Sequence, residues 1–262
     1  MRINFSRLLT KGKGIFLAYD QGLEHGPTDF NSNNVDPENI LDIARKGKYN
    51  AVILQKGIAE KYYAPYRHDI PLILKVNGKT QIPKIAPISS QVCSVAHAIK
   101  LGASAIGYTI YDGSPLEPQI FKEFGKIQEE AHDYGLPVVA WMYPRGEFVK
   151  DDEATDIIAY SARIGLELGA DFVKIRYNGD FEGFKWIVKC AGKVKVFVAG
   201  GLKAEQADLL KRIKEVMDAG ASGLAIGRNV WQHDEPLKIT KAIKKIVFEN
   251  KSAEEALKIL SA

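Results

Sequence analysis

Cysteine is nearly absent from this chain: Cys93 and Cys190 are the only two in 262 residues, too few for a disulfide framework or a thiolate metal cluster. The five histidines are scattered, with no H-x-x-x-H or C-x-x-C spacing, so a metal site built from protein ligands is not expected. Long apolar runs are missing too. No segment is apolar for long enough to span a bilayer, and the opening "MRINFSRLLTKGKGIF" lacks the apolar centre of a secretory signal. A soluble cytoplasmic protein is the expectation. Neither sign of charge dominates: 36 Lys and Arg against 32 Asp and Glu leave a net +4. The one dense basic run, "KITKAIKKI" (238–246), reads as the solvated face of a helix, not as a nucleic-acid contact. The small surplus is compatible with acidic small molecules. Gly/Ser-rich linkers and composition shifts are also lacking, so residues 1–262 read as one domain.

What is present is a repeated junction. "LDIARKGKYNAVIL" (41–54), "AIKLGASAIGYTIY" (98–111), "GLELGADFVKIRY" (165–177) and "VMDAGASGLAIGR" (216–228) share one order: amphipathic helix, glycine, small or polar residues, apolar strand. "AHDYGLPVVAWMY" (131–143) is a fifth copy. Gly47, Gly102, Gly169 and Gly220 stand where a helix end calls for a left-handed residue. Helix-to-strand junctions without hairpin dipeptides between strands predict parallel β/α units. Strands are expected at 15–20, 51–55, 72–76, 105–110, 138–143, 172–176, 196–199 and 223–226. "DPEN" (36–39), "SPLE" (114–117) and "SAEE" (252–255) carry helix-start signals. Eight such units in about 250 residues suit a closed (β/α)₈ barrel better than an open doubly wound sheet.

In such a barrel the catalytic mouth lies at the C-terminal strand ends, and the polar residues of this chain collect there. Strand parity turns Asp20, Lys75, Asn77, Trp141, Tyr143, Lys174 and Arg176 toward the interior. A lysine at a strand end commonly snorkels into solvent. Lys174, however, shares its face with Phe172, and desolvation by Phe172 and Trp141 beside a cation such as Arg176 or Lys75 would favour a free, nucleophilic amine. Position alone does not choose among Lys174, Lys75 and Lys56. "AGG" (199–201) precedes a helix expected near Ala204, and "IGRN" (226–229) precedes a segment from Val230. Glycine amides and Arg228 at the ends of the last two strands read as a phosphate site.

These stretches meet a family. "LAYDQGLEHGP" (17–27), "GIAEKYY" (57–63), "LILKVNGKT" (72–80), "SAIGYTIYDGS" (104–114), "WMYPRG" (141–146), "DFVKIRY" (171–177), "AGGLK" (199–203) and "AIGRNVWQ" (225–232) resemble the archaeal-type class I fructose-bisphosphate aldolases, which include the DhnA-like aldolases. The resemblance covers nearly the whole chain. It implies a TIM barrel that cleaves fructose 1,6-bisphosphate, in glycolysis or gluconeogenesis, through a lysine Schiff base with neither metal nor cofactor. It implies that Lys174 is the Schiff-base residue, Tyr143 the general acid/base with Trp141 beside it, and Asp20 a catalytic acidic residue. Gly200, Gly201, Gly227 and Arg228 would hold one phosphate, with His25 and Arg145 candidates for the other. Lys203, Arg176 and Lys75 complete the candidate substrate-binding set. Relatives assemble as decamers, which implies a homo-oligomer; the partners expected are small sugar phosphates, with no nucleic acid and no membrane.

Two departures from the family pattern stand out. Gln21 replaces a common histidine, and "AGGLK" replaces "SGGPK", so Ala199 lacks a hydroxyl and Leu202 lacks a rigid ring. The alternatives are a related lysine aldolase such as the aminodideoxyheptulosonate synthase, a thiolase-like phosphosugar enzyme, a phosphosugar isomerase, or a barrel that binds sugar phosphates without catalysis. The wording of "LKVNGKT" favours the bisphosphate aldolase over its lysine-aldolase relatives.

Overall fold

The computed structural model describes residues 3 and 5–261. The parts of the N-terminal and single-domain readings that fall on residues 1, 2, 4 and 262 lie outside the described residues. Eight strands form a closed parallel barrel in chain order: β1 Gly14–Ala18, β2 Ala51–Gln55, β3 Leu72–Lys75, β4 Ala103–Ile110, β5 Val138–Met142, β6 Phe172–Ile175, β7 Lys195–Ala199 and β8 Gly223–Ile226. Closure is made by β1 on β8, with Gly14 beside Gly223 and Leu17 beside Ile226. All eight expected strands are present. Four of them end one or two residues earlier than the apolar pattern suggests, because pairing stops before Asp20, Val76, Tyr143 and Arg176. These residues therefore sit just past the ladder, on the rim.

Alternation along each strand builds two separate apolar layers. Ile15, Leu17, Val52, Leu54, Leu72 and Leu74 face outward and pack in the layer beneath the helices. Phe16, Ile53, Ile73, Val139, Trp141, Phe172 and Phe197 fill the interior, with Leu8 packed among them. The rings of Phe16 and Phe197 stack with centroids 4.3 Å apart, and Phe172 meets Phe197 edge-on at 5.5 Å. This dry aromatic floor lies below the polar rim.

The principal helices are α1 Pro37–Lys46, α2 Val95–Lys100, α3 Glu117–Asp133, α4 Thr155–Glu167, α5 Phe181–Cys190, α6 Gln206–Asp218, α7 Pro236–Glu249 and α8 Ala253–Ser261. Asp36 caps α1 through the Glu38 amide, with Pro37 in the first turn. Ser252 and Glu255 exchange reciprocal bonds before α8. The "SPLE" signal misplaces its helix. Residues 114–117 instead form a tight turn in which the Ser114 hydroxyl donates to the Pro87 carbonyl and accepts from the Leu116 amide. The Glu117 carboxylate takes the Gly113 amide, and α3 starts at Glu117 itself. A small antiparallel ribbon, Asn77–Gly78 against Ser90–Gln91, follows β3 and has no counterpart in the sequence reading.

Gly102, Gly169 and Gly220 take the left-handed conformation expected of them, but Gly47 does not: its φ is −74°, and Lys48 takes the positive φ of 49°. Glycine is needed at 47 for space instead. A Cβ there would lie 2.8 Å from both the Ile43 carbonyl and the Tyr49 ring. Lys244 of α7 then donates to the Gly47 and Lys48 carbonyls at 2.7 and 2.8 Å. One lysine of the basic run is thus a helix cap and not part of a solvated face.

Gly47→Ala should therefore destabilise the fold by about 1–3 kcal/mol through overpacking, read from the midpoint of chemical denaturation. Lys48→Gly, which relieves a left-handed side chain, should match or exceed the parent. A Gly47→Ala variant as stable as the parent would refute the steric account.

Candidate active site

A cavity of about 730 Å³ opens at the C-terminal ends of the strands. Asp20, His25, Lys75, Trp141, Tyr143, Arg145, Lys174, Arg176, Gly200, Gly201, Lys203, Gly227 and Arg228 all border it. Lys56 and Asn77 do not. Lys56 opens a short helical turn after β2. Asn77 is buried inside the rim, where its amide donates to the Ser89 and Thr109 carbonyls and its oxygen accepts from the Thr109 amide. It is a structural tie between the exits of β3 and β4.

At the cavity floor, Lys174 on β6 is in register with Trp141 on β5, and its Nζ lies 5.3 Å from the centre of the indole. Lys75 from β3 approaches the same ring at 5.7 Å. Both lysines are buried, at 7% and 5% exposure. Their electrostatic commitments differ. Lys75 Nζ is 3.1 Å from Asp20 Oδ2. Burial on its own would raise the Asp20 carboxyl, but the ammonium groups of Lys75 and then Lys174 outweigh it and hold the group below its ordinary value. Burial would likewise lower Lys75, yet Asp20, with Tyr143 and Glu24, lifts it above the usual lysine value. Lys75 is therefore a fixed cation. Lys174 makes no ion pair or hydrogen bond among the described residues; its Nζ meets the indole alone. The neighbouring cation is Lys75; Arg176 turns instead to Asp152 at 2.8 Å.

Tyr143 lies between two guanidinium groups, with Arg145 at 5.6 Å and Arg176 at 5.8 Å from its ring centre. Arg145 also faces Tyr111 at 5.5 Å and Glu24 at 3.4 Å, and Tyr111 donates to Glu24 at 3.1 Å. Glu24, inside "GLEHGP", had drawn no role from the sequence.

The other wall is made by the exits of β7 and β8. Gly201 has a φ of 67°, and a Cβ on Gly227 would lie 2.5 Å from the Ala18 carbonyl; both positions demand glycine. The helix after this loop starts at Gln206, two residues past Ala204, while β8 runs directly into a short turn, Arg228–Trp231. Arg228 donates to the Gly201 carbonyl at 3.2 Å and lies 3.5 Å from Asp29, whose other oxygen meets His25 at 2.9 Å. His25 therefore stands on the Arg228 side of the cavity. Lys203 bonds the Gln232 carbonyl at 3.0 Å. Asn229, also missed in the sequence, donates to the Gly200 and Leu202 carbonyls at 2.7 and 2.8 Å and accepts the Ala204 amide at 2.8 Å. Among the described residues no cluster of three or more His, Cys, Asp or Glu could hold a metal ion.

The profile of the DeoC/LacD family aldolases matches residues 15–233. The chain belongs to the DeoC/LacD aldolase family. This family member is 49% identical over 252 residues to a Thermoproteus tenax protein named fructose-bisphosphate aldolase class 1, covering 95% of each chain. It is 44% identical over 248 residues to the Halobacterium salinarum protein of the same name, covering 94% of each. Among solved structures it superposes on an archaeal fructose-1,6-bisphosphate aldolase whose catalytic lysine is covalently bound to the carbinolamine intermediate of the substrate. That match has a TM-score of 0.89 and 49% identity, over 93% of this chain and 97% of the other. Family membership and the (β/α)₈ barrel thus agree with the sequence reading.

The pair at the floor of this aldolase-family barrel gives a pH test. A carboxyl held below its unfolded value, near 4, stabilises the fold above that value, and the contribution is lost as pH falls through the folded value. Asp20→Asn should lower the melting temperature at neutral pH, and its gap from the parent should narrow as the solution is acidified. A gap that stays constant into strong acid would mean that Asp20 titrates without its cations.

Proposed function

We propose that this protein is a class I fructose-1,6-bisphosphate aldolase, forming dihydroxyacetone phosphate and glyceraldehyde 3-phosphate reversibly through a Schiff base on Lys174. The observation that carries this reading is a single buried amine without an ion partner, set against an indole in a cavity with a glycine- and arginine-lined wall. No metal or organic cofactor enters the scheme. The proposal extends to a cytoplasmic homo-oligomer acting in glycolysis or gluconeogenesis, as the sequence resemblance implies.

The chemistry follows from the charges. The Lys174 amine adds to the C2 ketone, giving a carbinolamine that loses water to form an iminium. Removal of the C4 hydroxyl proton lets the C3–C4 bond break; its electron pair flows toward the iminium nitrogen and leaves an enamine, while the aldehyde departs. Protonation at C3 restores the iminium, and water releases the ketone and the free amine. Asp20 and Tyr143 are assigned these proton transfers, with Asp20 beginning as the ionised acceptor. Trp141 backs the amine, and Lys75 keeps Asp20 charged. Arg228 with Gly200, Gly201 and Gly227 is assigned one phosphate, with His25 on the same side through Asp29, and Arg145 is assigned the other. Lys203 and Arg176 are assigned to the substrate's path along the wall. Charge-assisted contacts of this kind contribute about 1.5–3 kcal/mol each.

Fructose 1,6-bisphosphate should be cleaved in the presence of EDTA, and dihydroxyacetone phosphate with borohydride should leave a reduced adduct on Lys174 by peptide mass spectrometry. An isomerase or a binding barrel would give no covalent adduct, and activity abolished by chelation and restored by zinc would sink the proposal.

Tyr143→Phe should separate the two halves of the scheme. Removing the hydroxyl leaves the ring between its two arginines, so borohydride should still label Lys174. Turnover should fall by about 10²–10⁴, the usual worth of a placed acid/base. Near-parental turnover would move the whole proton-transfer role to Asp20.

A further inference from the structure

We infer that Gly107 is a positioning residue for the two floor lysines: by leaving β4 without a side chain at that level, it lets the indole of Trp141 lie against both ammonium groups at once. The inference rests on Lys174 being the reactive amine.

Gly107 lies in the middle of β4, in register with Lys75 on β3 and Val139 on β5. It shares the interior parity of Ala105. Trp141 begins one pleat further along, opposite Thr109 and Lys174. Lys75 and Lys174 rise from β3 and β6, with β4 and β5 between them. A side chain from β5 reaches toward both only by leaning across β4, and that is where the indole goes. A Cβ on residue 107 would lie 2.3 Å from Trp141 Cη2 and 2.4 Å from Cζ3, well inside van der Waals contact. The benzene half of the indole occupies the volume that any side chain at 107 would need.

Backbone conformation does not explain this glycine, because Gly107 is not among the residues with positive φ. Glycine inside a strand weakens it and marks a close approach, and here the close approach is the ring. Trp141 is 1% exposed and borders the cavity, so a ring displaced from β4 moves toward the substrate space. From this one placement its face is presented to Lys174 at 5.3 Å and to Lys75 at 5.7 Å. The ring is thus a common wall against which both amines are placed beside Asp20. Even one methyl group at 107 must lift the ring and disturb both lysines together, without touching either.

Four proteins test this: the parent, Gly107→Ala, Trp141→Phe and the double variant, in which the smaller ring leaves room for the new methyl. Lys174 reactivity is read in two ways, by borohydride trapping with dihydroxyacetone phosphate and by trace acetylation with acetic anhydride, each quantified on the Lys174 peptide. Gly107→Ala should slow trapping by about tenfold to a hundredfold, the scale of a misplacement near 1 Å, and should change the acetylation of Lys174 relative to exposed lysines. The double variant should return to the level of Trp141→Phe alone. Parental behaviour in Gly107→Ala overturns the inference, as does a double variant worse than Trp141→Phe. If Gly107→Ala fails to fold, the comparison of the double variant with Trp141→Phe decides the matter, and failure of both double and single alanine variants to fold counts against the inference. A parent that acetylates at Lys174 yet traps no ketone would overturn the aldolase reading, while the acetylation series would still judge Gly107.

Discussion

The ion pair between Asp20 and Lys75 is the interaction around which the site is organised. A carboxylate and an ammonium taken out of water carry a desolvation cost that their attraction offsets only with close geometry and further partners. Here the separation is 3.1 Å, and Lys174 adds a second favourable charge to Asp20. The barrel supplies the remaining conditions. Stacked Phe16 and Phe197 and the edge of Phe172 exclude water from below, and the closed ladder leaves no open strand edge near the pair. Once Lys75 is committed to Asp20, the chemical difference between two lysines on one indole follows without any special property of Lys174.

Much of this was legible in the sequence because it is periodic or local. The helix–glycine–strand junction repeats often enough to count eight units, and strand parity at Asp20, Trp141, Tyr143 and Lys174 needs only a period of two. Other features depend on partners far along the chain. Gly47 looked like its counterparts at 102, 169 and 220, yet the Tyr49 ring and Thr240 of α7 crowd it, and the left-handed turn passes to Lys48. Ser114 carries a helix-start signal, but the Pro87 carbonyl captures its hydroxyl. Asn229, Glu24 and Asp29 sit inside or beside recognised motifs. Their roles are set by the Gly200 loop, by Tyr111 and Arg145, and by the His25–Arg228 pair, none of which a local reading brings into contact. Gly107 shows the same limit, since only the folded barrel brings an indole over it.

The two walls of the cavity are prepared to different degrees. On the β7–β8 side, Arg228 is already held by Asp29 and the Gly201 carbonyl, and His25 shares the same carboxylate. A ligand there meets groups whose freedom has already been spent in folding, which lowers the entropic cost of ordering them. On the β5–β6 side, Arg176 reaches back to Asp152 on the loop after β5 with a third of its side chain exposed. Screening by water weakens such a contact, so this wall is the more adaptable of the two.

Asn229 addresses only main-chain atoms: two carbonyls and one amide of residues 200–204. At Leu202 this hold is on the carbonyl and not on the side chain. Leu202, 74% exposed, projects from a backbone whose path is set from beneath. The departure from proline at this position therefore changes what the rim shows to an incoming molecule and leaves the scaffold's outline alone. A substitution at 202 thus alters the surface of the rim while the main-chain bonds from Asn229 that hold the loop persist.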